Sequence, residues 1–290
     1  MALVISIILL LILAGVSINF IFGNDGIFTK TQMAVDKYKQ AENEEQAYLN
    51  LIQNYVNDVY TIGNRYDTQG FFLGIESTPG DGTKSNPYII TTAEQLLGFA
   101  QMVDGGRNFK GEYIKLGGNI DLSGVCSVIS EKSWIPIGYG DNSFQGNFDG
   151  NNKTISNLYI NVTGSTLWGH GLFGVVSNEA VIENVTVEGN IKANAVVGGI
   201  VGAATNSNIT NCTNRATISG DAANIGGIVG ASDGAKIQNC SNQGNISSNN
   251  SIYASKVGGI LGAINDTGSV ATTITGCNYD SGTPVKEVGT

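Results

Sequence analysis

The sequence predicts an α+β chain, a long N-terminal α-helix followed by a parallel β-helix (β-solenoid). Three observations predict it. Residues 1–23 are uncharged and almost wholly apolar. Residues 27–62 are polar, with apolar positions recurring at helical spacing. From Gly171 onward, short segments of alternating apolar residues repeat at a nearly fixed period.

The apolar run comes first. A bilayer core needs about 20 apolar residues as a helix, and 1–23 reaches that length. No Lys or Arg precedes the run and no small-x-small site closes it, unlike a secretory signal. Gly23-Asn24-Asp25-Gly26 follows. Two glycines around Asn and Asp loosen a helix, so Gly23 and Gly26 are the expected joint. Beyond it, Tyr48, Leu51, Ile52, Tyr55, Val56 and Val59 fall three and four apart, on one face of an amphipathic helix over 27–62. Residues 1–62, if helical throughout, would span roughly 90 Å at 1.5 Å per residue. A linker is expected over 63–85, and the β-helix over 86–290.

The stretch ALVISIILLLILAGVSINFIFGNDGIFTKTQ resembles the N-terminal segment of type IV pilin-like proteins of Gram-positive, clostridial-type bacteria, over about residues 1–60. The resemblance implies a leader removed by a peptidase, a stay in the membrane before assembly, and transfer into the core of a helical filament. A start at Met1 fits a processed subunit. On this reading Met1, Leu3, Val4, Ile5, Ile8, Leu11, Ile12, Gly15, Val16 and Phe20 pack against the same residues of neighbouring copies. The family's glutamate near the mature N-terminus is missing, because position 5 is Ile5 and no acid precedes Asp25.

The body begins with NPYIITTAEQLLGFAQMVDGG, which reads as a strand, a capped helix and a stop. Thr91 with Glu94 forms a capping box, and Gly105-Gly106 ends a helix over about 92–104 that covers the solenoid's first edge. The repeats follow. GLFGVV, GGIVGAA, GGIVGAS and GGILGAI place Gly174, Gly202, Gly230 and Gly262 at spacings of 28, 28 and 32 residues. Each unit has short strands split by Gly, Asn or Asp, and none can bury its apolar face alone. Stacking the units puts Ile182, Ile209, Ile237 and Ile274 in one core column. Val185, Cys212, Cys240 and Cys277 form a second, and Asn184, Asn211 and Asn239 a third that Gly276 interrupts. The thiols are read as stacked core residues in preference to disulfides.

The order YIKLGGNIDLSG, WIPIG, FQGNFDGNNKTISNLYI, GLFG and then GGIVG with I-x-N-C resembles the GLUG-repeat β-helices of bacterial surface proteins and adhesins, over about residues 86–280. The resemblance implies a right-handed coil and a surface location, with no particular ligand.

Little in the sequence points to chemistry. The net charge is −9 over 290 residues with no basic cluster, which argues against nucleic acid as a partner. A polysaccharide-cleaving β-helix needs converging carboxylates, and the aligned columns set Glu183 opposite Thr210, Gln238 and Thr275, with no column holding two acids. Asp149-Gly150-Asn151 reads as a turn. The one histidine, His170, lacks partners for a triad, and Asp81 and Asp121 lack calcium-loop spacing. Trp134 and Trp168 are read as packing residues before sugar platforms.

The expectation is therefore a structural subunit of an extracellular, pilus-like cell-surface filament. It is a homopolymer through residues 1–60, held in the membrane before assembly, with no catalytic residues, cofactor or metal. Its β-helix is displayed outside and able to adhere to a host or environmental surface. The alternative is a membrane-anchored monomeric adhesin binding glycan or protein.

Overall fold

Apolar residues recur every second position over runs of three to five, and each run stops at a residue tolerant of left-handed backbone. Such runs can neither continue as long strands nor coil into helices, so the chain turns and lays each run beside its counterpart one coil back. The computed structural model describes residues 78–127, 129, 132–162, 169–194, 196–220, 224–248, 257–268, 270–280 and 286–289, together with Thr31, Gln32, Val35, Tyr38 and Lys39, which are helical. The chain divides into two units, residues 1–67 and 68–290.

In the second unit every pairing between named strands is parallel. The first lane joins β1 (Tyr88–Ile90), β2 (Tyr113–Leu116), the starts of β4 (Asn147–Val162) and β7 (Val181–Ala193), then β10 (Asn208–Thr210), β15 (Lys236–Gln238) and β19 (Thr273–Thr275). A second lane stacks β3 (Ile120–Asp121), the middles of β4 and β7, β11 (Thr213–Asn214), β16 (Ser241–Asn242) and β20 (Asn278–Tyr279). The third joins the ends of β4 and β7 to β12 (Thr217–Gly220) and β17 (Ile246–Ser248). A separate sheet on the glycine motifs carries β5 (Gly169–His170), β6 (Phe173–Val176), β8 (Val196–Gly198), β9 (Val201–Thr205), β13 (Asn224–Gly226), β14 (Val229–Asp233), β18 (Val257–Ile264) and β21 (Lys286–Val288). This is a β-solenoid.

The expected α+β class with a long N-terminal helix is corrected. Among the described residues of the second unit the fold is mostly β-solenoid, with one short α-helix, α1 (Ala93–Asp104). Among the described residues no helix is long and apolar enough to cross a membrane. The physical reason lies in where the apolar surface sits: it is dispersed over period-two segments cut by Gly and Asn, so burial is gained by stacking coils. The core-packing residues assigned above (Met1 to Phe20) and the joint glycines Gly23 and Gly26 lie outside the described residues.

Helix α1 also corrects its own expected cap. Thr92, not Thr91, is the N-cap: its Oγ1 accepts from Gln95 N at 3.2 Å, and Gln95 Oε1 accepts from Thr92 N at 3.2 Å. The sequence Thr-Thr-Ala-Glu-Gln satisfies the box in two adjacent registers, and the one used turns Leu96, Phe99, Ala100 and Val103 inward. Phe99 then meets Phe109, Phe144 and Phe148 at centroid distances of 5.1, 5.6 and 6.2 Å. Gly105 ends the helix.

Candidate functional site

The structure places Ile182, Ile209, Ile237 and Ile274 in one column of the first lane, continued upstream by Phe148 and Ile114. All are fully buried except Ile274, on the last coil. Flanking registers put Cys212, Cys240 and Cys277 one above another. Each thiol donates backwards along the stack: Cys212 to the Ile182 carbonyl, Cys240 to that of Ile209, and Cys277 to that of Ile237, each at 3.6 Å. All four cysteines, Cys126 included, are free thiols. The neighbouring thiols and burial push the Cys240 and Cys277 pKa values up, and burial raises that of Cys126. A thiol whose pKa is raised, as at Cys126, Cys240 and Cys277, is a poor nucleophile and a poor metal ligand.

Asn184, Asn211 and Asn239 are stacked at the corner after the first lane, all with left-handed backbone (φ 55°, 54° and 52°), and Gly276 continues the series at 65°. The conformation explains why Gly can follow three Asn in this column, since both tolerate it. Asn211 Nδ2 donates to Asn184 Oδ1 at 3.2 Å, and Asn184 Nδ2 to Asp149 Oδ1 at 3.0 Å. A second amide pair, absent from the expectations, is fully buried. Asn214 Nδ2 donates to Asn242 Oδ1 at 2.8 Å, while Asn214 Oδ1 accepts from Ala216 N at 3.0 Å and Asn242 Oδ1 from Gly244 N at 3.2 Å. The signal was in the sequence, because Asn follows Cys by two residues in both units.

The expectation that no column holds two acids is also corrected. Lys115, Asp149 and Glu183 stand in register on the outward side of the first lane, ahead of Thr210, Gln238 and Thr275. Asp149-Gly150-Asn151 is no strand-ending turn. It is a bulge inside β4, where Asn151 and Asn152 adopt φ of 51° and 58° and the register shifts before Lys153. Asp149 is heavily engaged. Burial works against its charge, but bonds from Asn184 and from Asn151 N at 2.7 Å, with the Lys115 ammonium at 3.2 Å, leave its pKa lowered. Burial and the Asp149 charge raise that of Glu183.

The remaining candidates are structural members. Asp121 accepts from Ser123 N at 2.9 Å and Asn157 Nδ2 at 2.8 Å, and Asp81 from Thr83 N at 3.0 Å. Among the described residues no group of three or more His, Cys, Asp or Glu could hold a metal ion. Trp134 is buried and donates to the Leu172 carbonyl at 3.2 Å, whereas Trp168 lies outside the described residues. His170 is buried beside Tyr139, and burial lowers its pKa to about 4.

At the opposite corner of the same lane, where the strands begin, lies a groove of about 740 Å³. Its walls are the successive turns Asn178–Glu179, Asn206–Asn208 and Gly234–Lys236, with Val270 and Lys110 at its margins.

The GLUG motif matches residues 193–219 and 221–247. A protein named as a Gly-rich membrane protein of Evansella cellulosilytica is 34% identical over 131 residues, covering 44% of this chain and 14% of that one. Halomucin of Haloquadratum walsbyi is 31% identical over 151 residues, covering 49% of this chain and 2% of its own. The chain thus spans a small part of the length of both relatives. A solved structure from Bacteroides ovatus named for an immunoglobulin A1 protease is 23% identical with a TM-score of 0.47, covering 70% of this chain and 78% of that one.

Proposed function

We propose that this chain is a structural protein of the cell surface whose solenoid is a stiff displayed body that turns over no substrate. The observation that carries this reading is how the reactive side chains are used. Cys126, Cys212 and Cys240 are buried, Cys212, Cys240 and Cys277 each donate to a carbonyl of the preceding coil, and Asp149 is committed to an ion pair and two hydrogen bonds within the wall. The membrane-protein name of one relative supports a location at the envelope.

Within that role the uncharged run 1–23 is the part that must be kept from water. Each large aliphatic side chain gains about 1.5–3 kcal/mol on burial. We take its final surroundings to be the same segment of neighbouring copies, in an extracellular pilus-like filament, with the membrane holding it beforehand. The alternative is a lone adhesin that stays in the membrane.

Electron microscopy of material sheared from cells, with the chain labelled by antibody, separates the two. Labelled fibres are expected. Solitary particles that need detergent would overturn the filament. Incubating purified chain with polysaccharides and measuring released reducing ends tests the absence of turnover. Cleavage abolished by Glu183→Gln would make the chain an enzyme.

A further inference from the structure

The corner groove gathers polar groups that the wall does not use, on three successive coils. Along the wall two amide pairs are formed, Asn211 with Asn184 and Asn214 with Asn242. In the groove, Asn178, Asn206 and Asn208 hydrogen-bond through their side chains to no described residue. Lys110 and Lys236 are exposed and belong to none of the ion pairs among the described residues. The backbone beneath is fixed. Glu179 N donates to the Asn206 carbonyl at 2.8 Å, Asn206 N to that of Asp233 at 2.9 Å, and Lys236 N to that of Ser207 at 2.8 Å. Asn178, Asn206 and Gly234 are all left-handed, so the three turns share one corner geometry, and Glu179 beside Asn178 is left-handed too. Unpartnered donors are thus held on an ordered frame, which lowers the entropic cost of binding.

We propose that this groove binds an extended, carboxylate-bearing polysaccharide. Asn178 and Asn206 stand one coil apart, at about 4.8 Å, and Lys236 continues the polar row on the next coil, which suits an extended polymer better than a compact solute. Lys110 and Lys236 supply charge-assisted bonds to carboxylates, and Glu179 accepts from a hydroxyl. No aromatic ring lines the groove, so nothing there stacks a nucleobase, and the chain's net charge of −9 opposes dense phosphate. The inference deepens the surface role proposed above and rests on it only for where such a polymer would be met.

The test is binding of full-length chain, immobilised in detergent, to polygalacturonate and hyaluronate, with neutral dextran as control. Both acidic polymers should bind and dextran should not. The double variant K110Q/K236Q should weaken binding by about tenfold or more, and raising salt from about 0.05 M to about 0.5 M should weaken it likewise. Asn208→Ala, at a position without left-handed backbone, should weaken it at constant salt dependence. Lys192→Gln, on an exposed strand position outside the groove, should bind as the parent does. Equal binding by K110Q/K236Q, or equal binding of dextran, would overturn the proposal. Circular dichroism and filament formation unchanged in K110Q/K236Q would show that the groove alone had been altered, so the two proposals fail separately.

Discussion

At the scale of single residues, the buried amide pair is a point of high sensitivity. Asn242 serves both the Asn214 amide and the Gly244 N–H, and no water reaches it. Asn242→Ala strands both, and a buried polar group left unpaired costs about 1–3 kcal/mol. Denaturant unfolding should show a midpoint loss of that size, larger than for Asn239→Ala on the exposed corner. Asp104 carries a second residue-scale prediction. Its Oδ1 accepts from Gly138 N at 3.0 Å and Tyr139 N at 2.8 Å, and burial nevertheless raises its pKa to about 6. Its favourable contribution is fully present below the ordinary value near 3.8 and is lost as pH rises through about 6. His170 acts oppositely: its pKa is lowered to about 4, so its contribution is full above 6.5 and lost as pH falls towards 4. The two offset each other between pH 6.5 and 4. In Asp104→Asn, which keeps an acceptor oxygen, stability should fall with acidity across that window where the parent stays nearly level. Parallel slopes in urea titrations of the two proteins at pH 4.5, 5.5 and 6.5 would refute this.

At the scale of elements, α1 depends on its cap. Thr92→Ala should cost about 1 kcal/mol and Thr91→Ala much less, read as the difference in thermal or urea midpoint. The sequence could not separate the two, because both registers of the box are chemically complete and the inward face of the helix decides between them. The strand columns were more legible. Ile182 to Ile274 and the thiols could be aligned because the glycine motifs restart the count in every unit. The pairing of Asp149 with Glu183 was not legible. It precedes the first glycine motif, and the two left-handed asparagines after Asp149 insert residues that shift any alignment carried backwards. The groove escaped for another reason. Turn residues had been read as connectors, and their shared side is defined only once the coils are closed.

At the scale of the whole molecule, repeats and alternation revealed the solenoid but not the proportions of the fold. An uncharged run reports a need for burial and does not by itself fix a long helix, and the α+β expectation rested on treating it as though it did. Stability along a coil is close to a sum of each rung and its neighbours. Among the described residues Ile237 has a stacked residue on both sides, whereas Ile274 has one and is partly exposed. Ile237→Ala should therefore cost about 2–5 kcal/mol, and Ile274→Ala clearly less. Hydrogen exchange should show the same gradient, slow at β7, β10 and β15 and faster at β19. Uniform protection would mean that the wall opens as one unit.

One feature of the stacking reaches further. Val201 meets Val229 and Val229 meets Leu261, yet Lys236 meets Thr273 across a longer excursion, and the pairing beyond it is unchanged. Extra length is shunted into the bends while the pleated flanks keep step. Such a scaffold can accept foreign peptide at those bends, and lineages could trade these excursions freely without ever renegotiating the interior.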